Sequence, residues 1–466
     1  MRIVFVASEV FPFAKTGGLA DVCGTLPLEL ERLGHDVIII MPYYRCVGRQ
    51  PAFSDDAMMG VVGKDLKVYF LRHLEFFDRP QLYGEAGGDY PDNMDRFAFL
   101  CHATLRLLKA LGKPVDIIHC HDWQTGLIPV LLKENYADDP FFARTRSVLT
   151  IHNLAYQGVF PKEEMPRLGL DARLFNPGAL EFYEKINFLK AGIVFADHIT
   201  TVSPQYAAEI QTKESGCGLE GVICQNKDRL AGLLNGLDYR QWDPATDKLL
   251  DPTYAASSVQ GKAVHKGKLQ KALNLPVAKA IPVFGFVGRL CYQKGFDLLE
   301  IAFDDLMKRN VQVVFMGVGE EKYQKLLVRL AKKYPGQCGV VIRYDESFAH
   351  MIYAGADIFL MPSIYEPCGL TQMISLRYGT IPLVSEVGGL ADTVTDFTLN
   401  ALKGNGFVMP DYTPEGLLAA VDRACAVFAR KDDWGVLIAR AMACRWTWES
   451  SAVHYVACYE KCLRSA

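Results

Sequence analysis

The feature of this sequence that most restricts its fold is a rhythm: short apolar runs of strand length alternate with longer amphipathic stretches along most of the chain. Runs that are apolar at consecutive positions suit strands buried on both faces, and the amphipathic stretches supply the helices that cover them. The pattern predicts an α/β protein built of βα units with a buried parallel sheet. Strands are expected at 2–8, 36–41, 66–72, 115–120, 146–151, 198–202 and 229–235, and helices at 19–33, 94–111, 123–135 and 178–195.

A polar stretch, Asp238-Tyr-Arg-Gln-Trp-Asp-Pro-Ala-Thr-Asp247, interrupts this series and reads as a linker near 236–246. A second series follows at 281–287, 311–316, 338–343, 356–361 and 381–385. At 466 residues the chain exceeds what one core usually organises. Two doubly wound, Rossmann-like domains are therefore expected, over 1–237 and 238–445, with a C-terminal helix in 446–466 that can pack back on the first. Facing one another, two such domains would set a central cleft at the carboxyl ends of both sheets, where open α/β folds bind ligands. No repeat of 20 to 50 residues and no low-complexity tract competes with this organisation.

Composition excludes several classes of function. A formal net charge of −3 with 22% charged residues gives no electrostatic reason to expect nucleic acid or an anionic membrane as partner, so any anion must be held locally. The 13 cysteines are scattered without a C-x-x-C pair, which fits reduced thiols and predicts a cytoplasmic protein. With a strand predicted from Arg2 onward, no leader is expected ahead of the fold, and no apolar run reaches the length of a membrane span.

Three segments at predicted strand ends are suited to an anion and a sugar. In Glu9-Val-Phe-Pro-Phe-Ala-Lys15-Thr-Gly17-Gly18-Leu-Ala-Asp21, two glycines opening a helix let backbone N–H groups approach a phosphate, and Lys15 adds a mobile cation. A Gly-Gly turn before a helix is also common in α/β proteins at large. In Gly288-Arg289-Leu-Cys-Tyr-Gln-Lys294-Gly295, two cations five residues apart can converge on one pyrophosphate, the guanidinium as a fork and the ammonium as a point charge; a solvated basic loop has the same composition. In Tyr365-Glu366-Pro-Cys368-Gly369-Leu370-Thr371, Pro and Gly precede an apolar helix and Glu366 lies in the turn, suited equally to a bound sugar and to helix capping. His119-Cys-His121-Asp122 ends a strand without a carboxylate or thiol set at metal spacing, so a core or cleft role is expected there rather than a metal. His152-Asn153, after the strand at 146–151, is a candidate by the same topology.

The segments Lys15-Thr-Gly-Gly-Leu-Ala-Asp-Val22, His119-Cys-His-Asp-Trp-Gln124, His152-Asn-Leu-Ala-Tyr-Gln-Gly158, Leu234-Asn-Gly-Leu-Asp238 with Trp242-Asp-Pro244, Gln293-Lys-Gly295 and Glu366-Pro-Cys-Gly-Leu-Thr-Gln372 together resemble the bacterial glycogen synthases and plant starch synthases, in that family's order. The resemblance implies a GT-B fold and a retaining transfer of glucose from ADP-glucose to an α-1,4-glucan, in a cleft that closes over the donor, with no metal or cofactor. It implies that Lys15, Gly17, Gly18, Arg289 and Lys294 bind the donor diphosphate with the backbone of Cys368, Gly369, Leu370 and Thr371. It further implies that His152 contacts the transferring glucose, that Asn235 lies near glucose and phosphate, and that Asp122, Glu9 and Asp21 stand on the sugar and acceptor side. Tyr83 and Tyr344 would line the site, and Glu366 would stabilise positive charge on the sugar or orient its hydroxyls. Many retaining relatives carry a second glutamate eight residues on; here that position is Ile374, and no carboxylate pair is assigned. Enzymes that make sucrose, trehalose phosphate or lipid-linked glycosides share the Arg and Lys pair and the Glu loop but not the Lys15-to-Asp21 opening.

Overall fold

The computed structural model describes residues 1–47, 53–54, 59–85, 88–400 and 402–464. The chain folds as two units, Met1–Gly236 with Trp448–Ala466, and Leu237–Thr447.

The first unit is organised by strands β1 (Arg2–Val6), β2 (Asp36–Pro42), β3 (Phe53–Ser54), β4 (Met59–Val62), β5 (Leu66–Leu71), β6 (Ile117–His121), β7 (Arg146–Ile151), β8 (His198–Thr201) and β9 (Leu230–Gly232), in the spatial order β9-β8-β7-β6-β1-β2-β5-β4-β3. Its centre is parallel and buried on both faces, which is why β6 is buried at all five positions. The edge departs from the expected parallel sheet, because β4 pairs antiparallel with both β3 and β5. Alternating burial along Met59–Val62 marks a strand with one face more open to solvent than the other. Helix α1 (Gly18–Arg32) packs against β2, with Asp21 in its first turn and Arg32 in its last, each charge complementing the helix dipole.

A helix over 178–195 is not formed. Glu181–Phe182 and Lys185–Asn187 pair as an antiparallel hairpin, and α2 (Phe188–Phe195) begins only after it. The turn is made by Tyr183 and Glu184, both at positive φ (48° and 61°), and the Asn187 side chain caps α2 by accepting from the Lys190 N–H.

The second unit is a parallel sheet of β10 (Val283–Val287), β11 (Gln312–Met316), β12 (Cys338–Val341), β13 (Ile358–Met361), β14 (Ile381–Val384) and β15 (Phe407–Val408), in the order β12-β11-β10-β13-β14-β15. Its core joins strand and helix faces, for example Phe286, Phe296 and Phe315 with Leu417 and Leu437 of the covering helices. The polar stretch that reads as a linker is part of this unit. Trp242 stacks on His350 with ring centroids 4.3 Å apart, and buried Asp247 accepts from Tyr378 Oη at 2.6 Å and lies 2.7 Å from His350 Nδ1. The carboxylates of Asp238, Asp243 and Asp247 accept the turn N–H groups of Arg240, Ala245 and Leu249, so the polarity serves backbone turns rather than solvent.

The last helix, α5 (Trp448–Arg464, following α3 Phe296–Met307 and α4 Thr371–Arg377), belongs to the first unit. There Trp448, Ala452, Tyr455 and Tyr459 join the core formed by Phe5, Val22 and Leu26. Among the described residues, no helix is long and apolar enough to cross a membrane.

Candidate active site

Both sheets have a switch point, where consecutive connections leave in opposite directions: between β1 and β6 in the first unit and between β10 and β13 in the second. Loops at the carboxyl ends of the strands part there and leave room for a ligand. Most of the candidate residues are on these loops.

In the first unit, the loop after β1 is braced from within. Glu9 is only 3% exposed. Its carboxylate accepts from Tyr83 Oη and Thr16 Oγ1, both at 2.6 Å, from the Thr16 N–H at 2.5 Å and from the Gly17 N–H at 3.3 Å. The Tyr83 hydroxyl also lies 2.8 Å from Ser8 Oγ. Both groups therefore hold the Lys15–Gly17 turn. Lys15 is exposed and paired with Asp21 at 2.6 Å. Gly17 caps α1 in an extended conformation, and Gly18 begins the helix.

Asp122, just past β6, has φ 57° and ψ −171°, a conformation that is nearly exclusive to glycine and costs another residue on the order of 1–3 kcal/mol. Two hydrogen bonds hold it. Its N–H donates to the Thr150 carbonyl at 2.9 Å, and its Oδ1 accepts from the His152 N–H at 2.7 Å, which ties the end of β6 to the end of β7. Burial pushes the Asp122 carboxyl up to about 7, against the opposing pull of the His152 and Asn153 amides. His152 is brought down to about 3 by burial, and its Nε2 lies 3.0 Å from His121 Nδ1. His119 and His121 are two residues apart and so share one face of β6, with ring centroids 4.2 Å apart, and burial holds both well below the ordinary imidazole range. Asn235, beyond β9, is 4% exposed, and its Oδ1 has no hydrogen-bond partner among the described residues. A buried amide oxygen in this position can accept a further hydrogen bond.

In the second unit, Lys294 Nζ donates to Glu366 Oε2 at 2.5 Å, and Ser363 Oγ donates to the same oxygen at 3.1 Å. Both partners are largely buried. The contact joins the loop after β10 to the loop after β13, and glycines make it possible. Gly295 has φ 77°, and a Cβ on it would lie 1.8 Å from the Pro362 carbonyl. On the other side, the Gly389 N–H donates to the Glu366 carbonyl at 3.1 Å. Arg289 is exposed on the loop after β10. Cys368 is buried, Gly369 has φ 69°, and Leu370 precedes α4, which begins at Thr371. The Gln372 amide donates to the carbonyls of Cys368 at 3.0 Å and Gly369 at 2.6 Å, fixing that loop. Tyr344 stands apart, 72% exposed after the edge strand β12, two strands from β10.

Sequence reasoning expected a core or cleft role for His121, gave Gln372 no role of its own, and passed over Ser363 and the pair Gly388-Gly389. The last had a signal: Gly-Gly-Leu-Ala-Asp at 388–392 repeats the pentapeptide at 17–21. Among the described residues, no three His, Cys, Asp or Glu side chains are grouped to hold a metal ion.

Residues 2–225 match the family described as starch synthase catalytic domain, and residues 272–427 match glycosyl transferases group 1. The chain is 49% identical to a glycogen synthase of Geotalea uraniireducens (strain Rf4) over 99% of both chains. It is 48% identical to a glycogen synthase of Geotalea daltonii over 98% of both. Among solved structures, the catalytic domain of starch synthase IV from Arabidopsis thaliana, bound to ADP and acarbose, is similar with a TM-score of 0.89 and 34% identity over 99% of each chain.

Proposed function

The chain belongs to the glycogen synthase and starch synthase family of glycosyltransferases, and we propose that it moves glucose from ADP-glucose to the non-reducing end of an α-1,4-glucan with retention of configuration. It is a GT-B enzyme, and the residue roles below are our assignment. The observation that carries it is the contact between Lys294 and Glu366 at 2.5 Å, held at the switch point of the second sheet.

Breaking the bond between sugar and phosphate builds positive charge on the ring and negative charge on the departing diphosphate, and a catalyst must stabilise both. A diphosphate that engages Lys294 draws the ammonium away from Glu366. The carboxylate's charge is then no longer offset by the ammonium as the sugar becomes positive. Arg289 forks onto the phosphates, and the backbone of Cys368, Gly369, Leu370 and Thr371 lines the donor. Lys15, with the open backbone of Gly17 and Gly18, offers phosphate a further cation.

In the first unit, the neutral His152 grips a hydroxyl of the transferring glucose. The unpaired Oδ1 of Asn235 accepts from another sugar hydroxyl, and Asp122 faces the acceptor. Glu9, Asp21 and Tyr83 act by bracing the loop that carries Lys15. Retention follows from attack by the acceptor hydroxyl on the face the diphosphate leaves, its proton passing to a phosphate oxygen. That route needs no protein nucleophile, and Glu366 keeps its hydrogen bond from Ser363 when Lys294 turns to phosphate. We place the reaction in the cytoplasm, in keeping with 13 scattered thiols.

The test is nucleotide release from ADP-glucose and from UDP-glucose, each with and without glycogen. ADP release that requires glycogen and exceeds UDP release is expected. The reverse preference would reassign the donor, and no release from either would remove the activity.

A further inference from the structure

Helix α5 buries a stripe of Trp448, Ser451, Ala452, Tyr455, Cys458, Tyr459 and Cys462, spaced by three and four residues as an amphipathic helix requires. Two polar groups in that stripe reach strand ends that carry candidate site residues. Ser451 Oγ donates to the carbonyl of Leu234, the residue before Asn235, at 2.7 Å. The Tyr459 hydroxyl lies 2.8 Å from His119 Nδ1.

The other nitrogen of His119, Nε2, lies 2.6 Å from Thr150 Oγ1, which is itself 2.6 Å from Thr200 Oγ1. A neutral imidazole has one donor and one acceptor nitrogen, and a hydroxyl can serve either, so both positions on His119 are engaged and its ring cannot turn without losing a partner. His121 is held in another way. Its ring stacks on Phe5 at 5.2 Å between centroids and leans on His119 at 4.2 Å. Its Nδ1 meets His152 at 3.0 Å, while its Nε2 is buried without a hydrogen-bond partner among the described residues. Packing against His119 and Phe5 therefore sets the direction of His121, and the ring-to-ring contact passes that direction to His152.

We propose that Tyr459 is a positioning residue for glucosyl transfer: its hydroxyl fixes the His119 ring, His119 fixes His121, and His121 aims His152 at the sugar. This rests on the role given to His152 above. The final helix then contributes to turnover through a single hydroxyl, beyond closing the core.

The experiment is a double-mutant cycle on the full chain, read as kcat and KM for ADP-glucose with glycogen as acceptor. Tyr459→Phe, which removes one oxygen, is expected to lower kcat about tenfold with KM changed less than about twofold. In the His152→Ala enzyme, the same substitution is expected to add less than about a twofold further loss, because its effect passes through that ring. Thr150→Val removes the other partner of His119 and serves as the second variant, with the same loss and the same cancellation. An unchanged kcat in Tyr459→Phe, or an equal loss in both backgrounds, overturns the proposal while leaving the role of His152 intact. A His152→Ala enzyme with full kcat overturns both.

Discussion

The pentapeptide Gly-Gly-Leu-Ala-Asp occurs at 17–21 in the first unit and at 388–392 in the second, and the two copies do different work. On Gly17 an added Cβ would meet no atom of the described residues within 4 Å, and φ −156° is open to any residue. On Gly388, at φ 43°, a Cβ would lie 2.0 Å from the Glu366 carbonyl, and on Gly389 it would lie 2.0 Å from that of Cys368. One copy leaves a backbone bare, and the other presses a helix start against the loop that carries Glu366.

The electrostatics of the units divide in a similar way. At the strand ends of the first unit the ring nitrogens are kept neutral by burial, with His152 brought down to about 3, and Asp122 is pushed up to about 7. The second unit instead opposes a half-buried ammonium to a buried carboxylate. Neutral dipoles suit sugar hydroxyls, whereas a paired cation can exchange its carboxylate for a phosphate. A buried pair of this kind is poor evidence of extra stability, because desolvation offsets much of the attraction, and it is better understood as a device for exchange.

Lys294→Ala should break this contrast most severely. Loss of the cation is expected to lower kcat by about 10²- to 10³-fold, and the stranded Glu366 to lower stability by about 3–5 kcal/mol. Steady-state kinetics and urea unfolding measure the two, and unchanged ADP affinity would contradict the assigned role. The next largest effect is expected for Gly388→Ala, which should cost about 1–3 kcal/mol and displace Glu366. Gly17→Ala should leave stability within about 0.5 kcal/mol while weakening ADP binding, so equal unfolding midpoints for the two alanine variants would erase the distinction between the copies.

A subtler effect concerns pH. Between about pH 4 and 7, native Asp122 holds a proton that the unfolded chain has released, so its contribution to stability falls as pH rises through that window. His152 and His198, brought down to about 3 and about 4, do the opposite, contributing stability that is lost as pH falls below about 6.5. Asp122→Asn removes the first term and keeps the second, so stability should climb more steeply with pH than in the parent chain; parallel curves would contradict the raised proton affinity. The smallest change is expected for Lys15→Ala. Its pair with Asp21 is exposed, so stability should move by less than about 0.5 kcal/mol in a melting experiment.

Much of the fold was legible because buried parallel strands write themselves as continuous apolar runs: the run at 36–41 is the strand Asp36–Pro42, and that at 381–385 is Ile381–Val384. The segment 178–195 was not legible, since its apolar residues fit either period and Tyr183-Glu184 carries no turn composition. The placement of Asp122 and His152 at strand ends was readable, but not that Asp122 adopts a conformation suited to glycine. The contact between Lys294 and Glu366 spans 72 residues, and that between His119 and Tyr459 spans 340, distances over which a single sequence shows no coupling.

The most direct test supplies ADP-glucose labelled in the sugar to the full chain with glycogen, then treats the polymer with an exo-acting enzyme that cuts only α-1,4 bonds at non-reducing ends. The account predicts label in the polymer equal to the ADP released, and its complete removal by that enzyme. ADP release without labelled polymer, or label that resists the digestion, would contradict it.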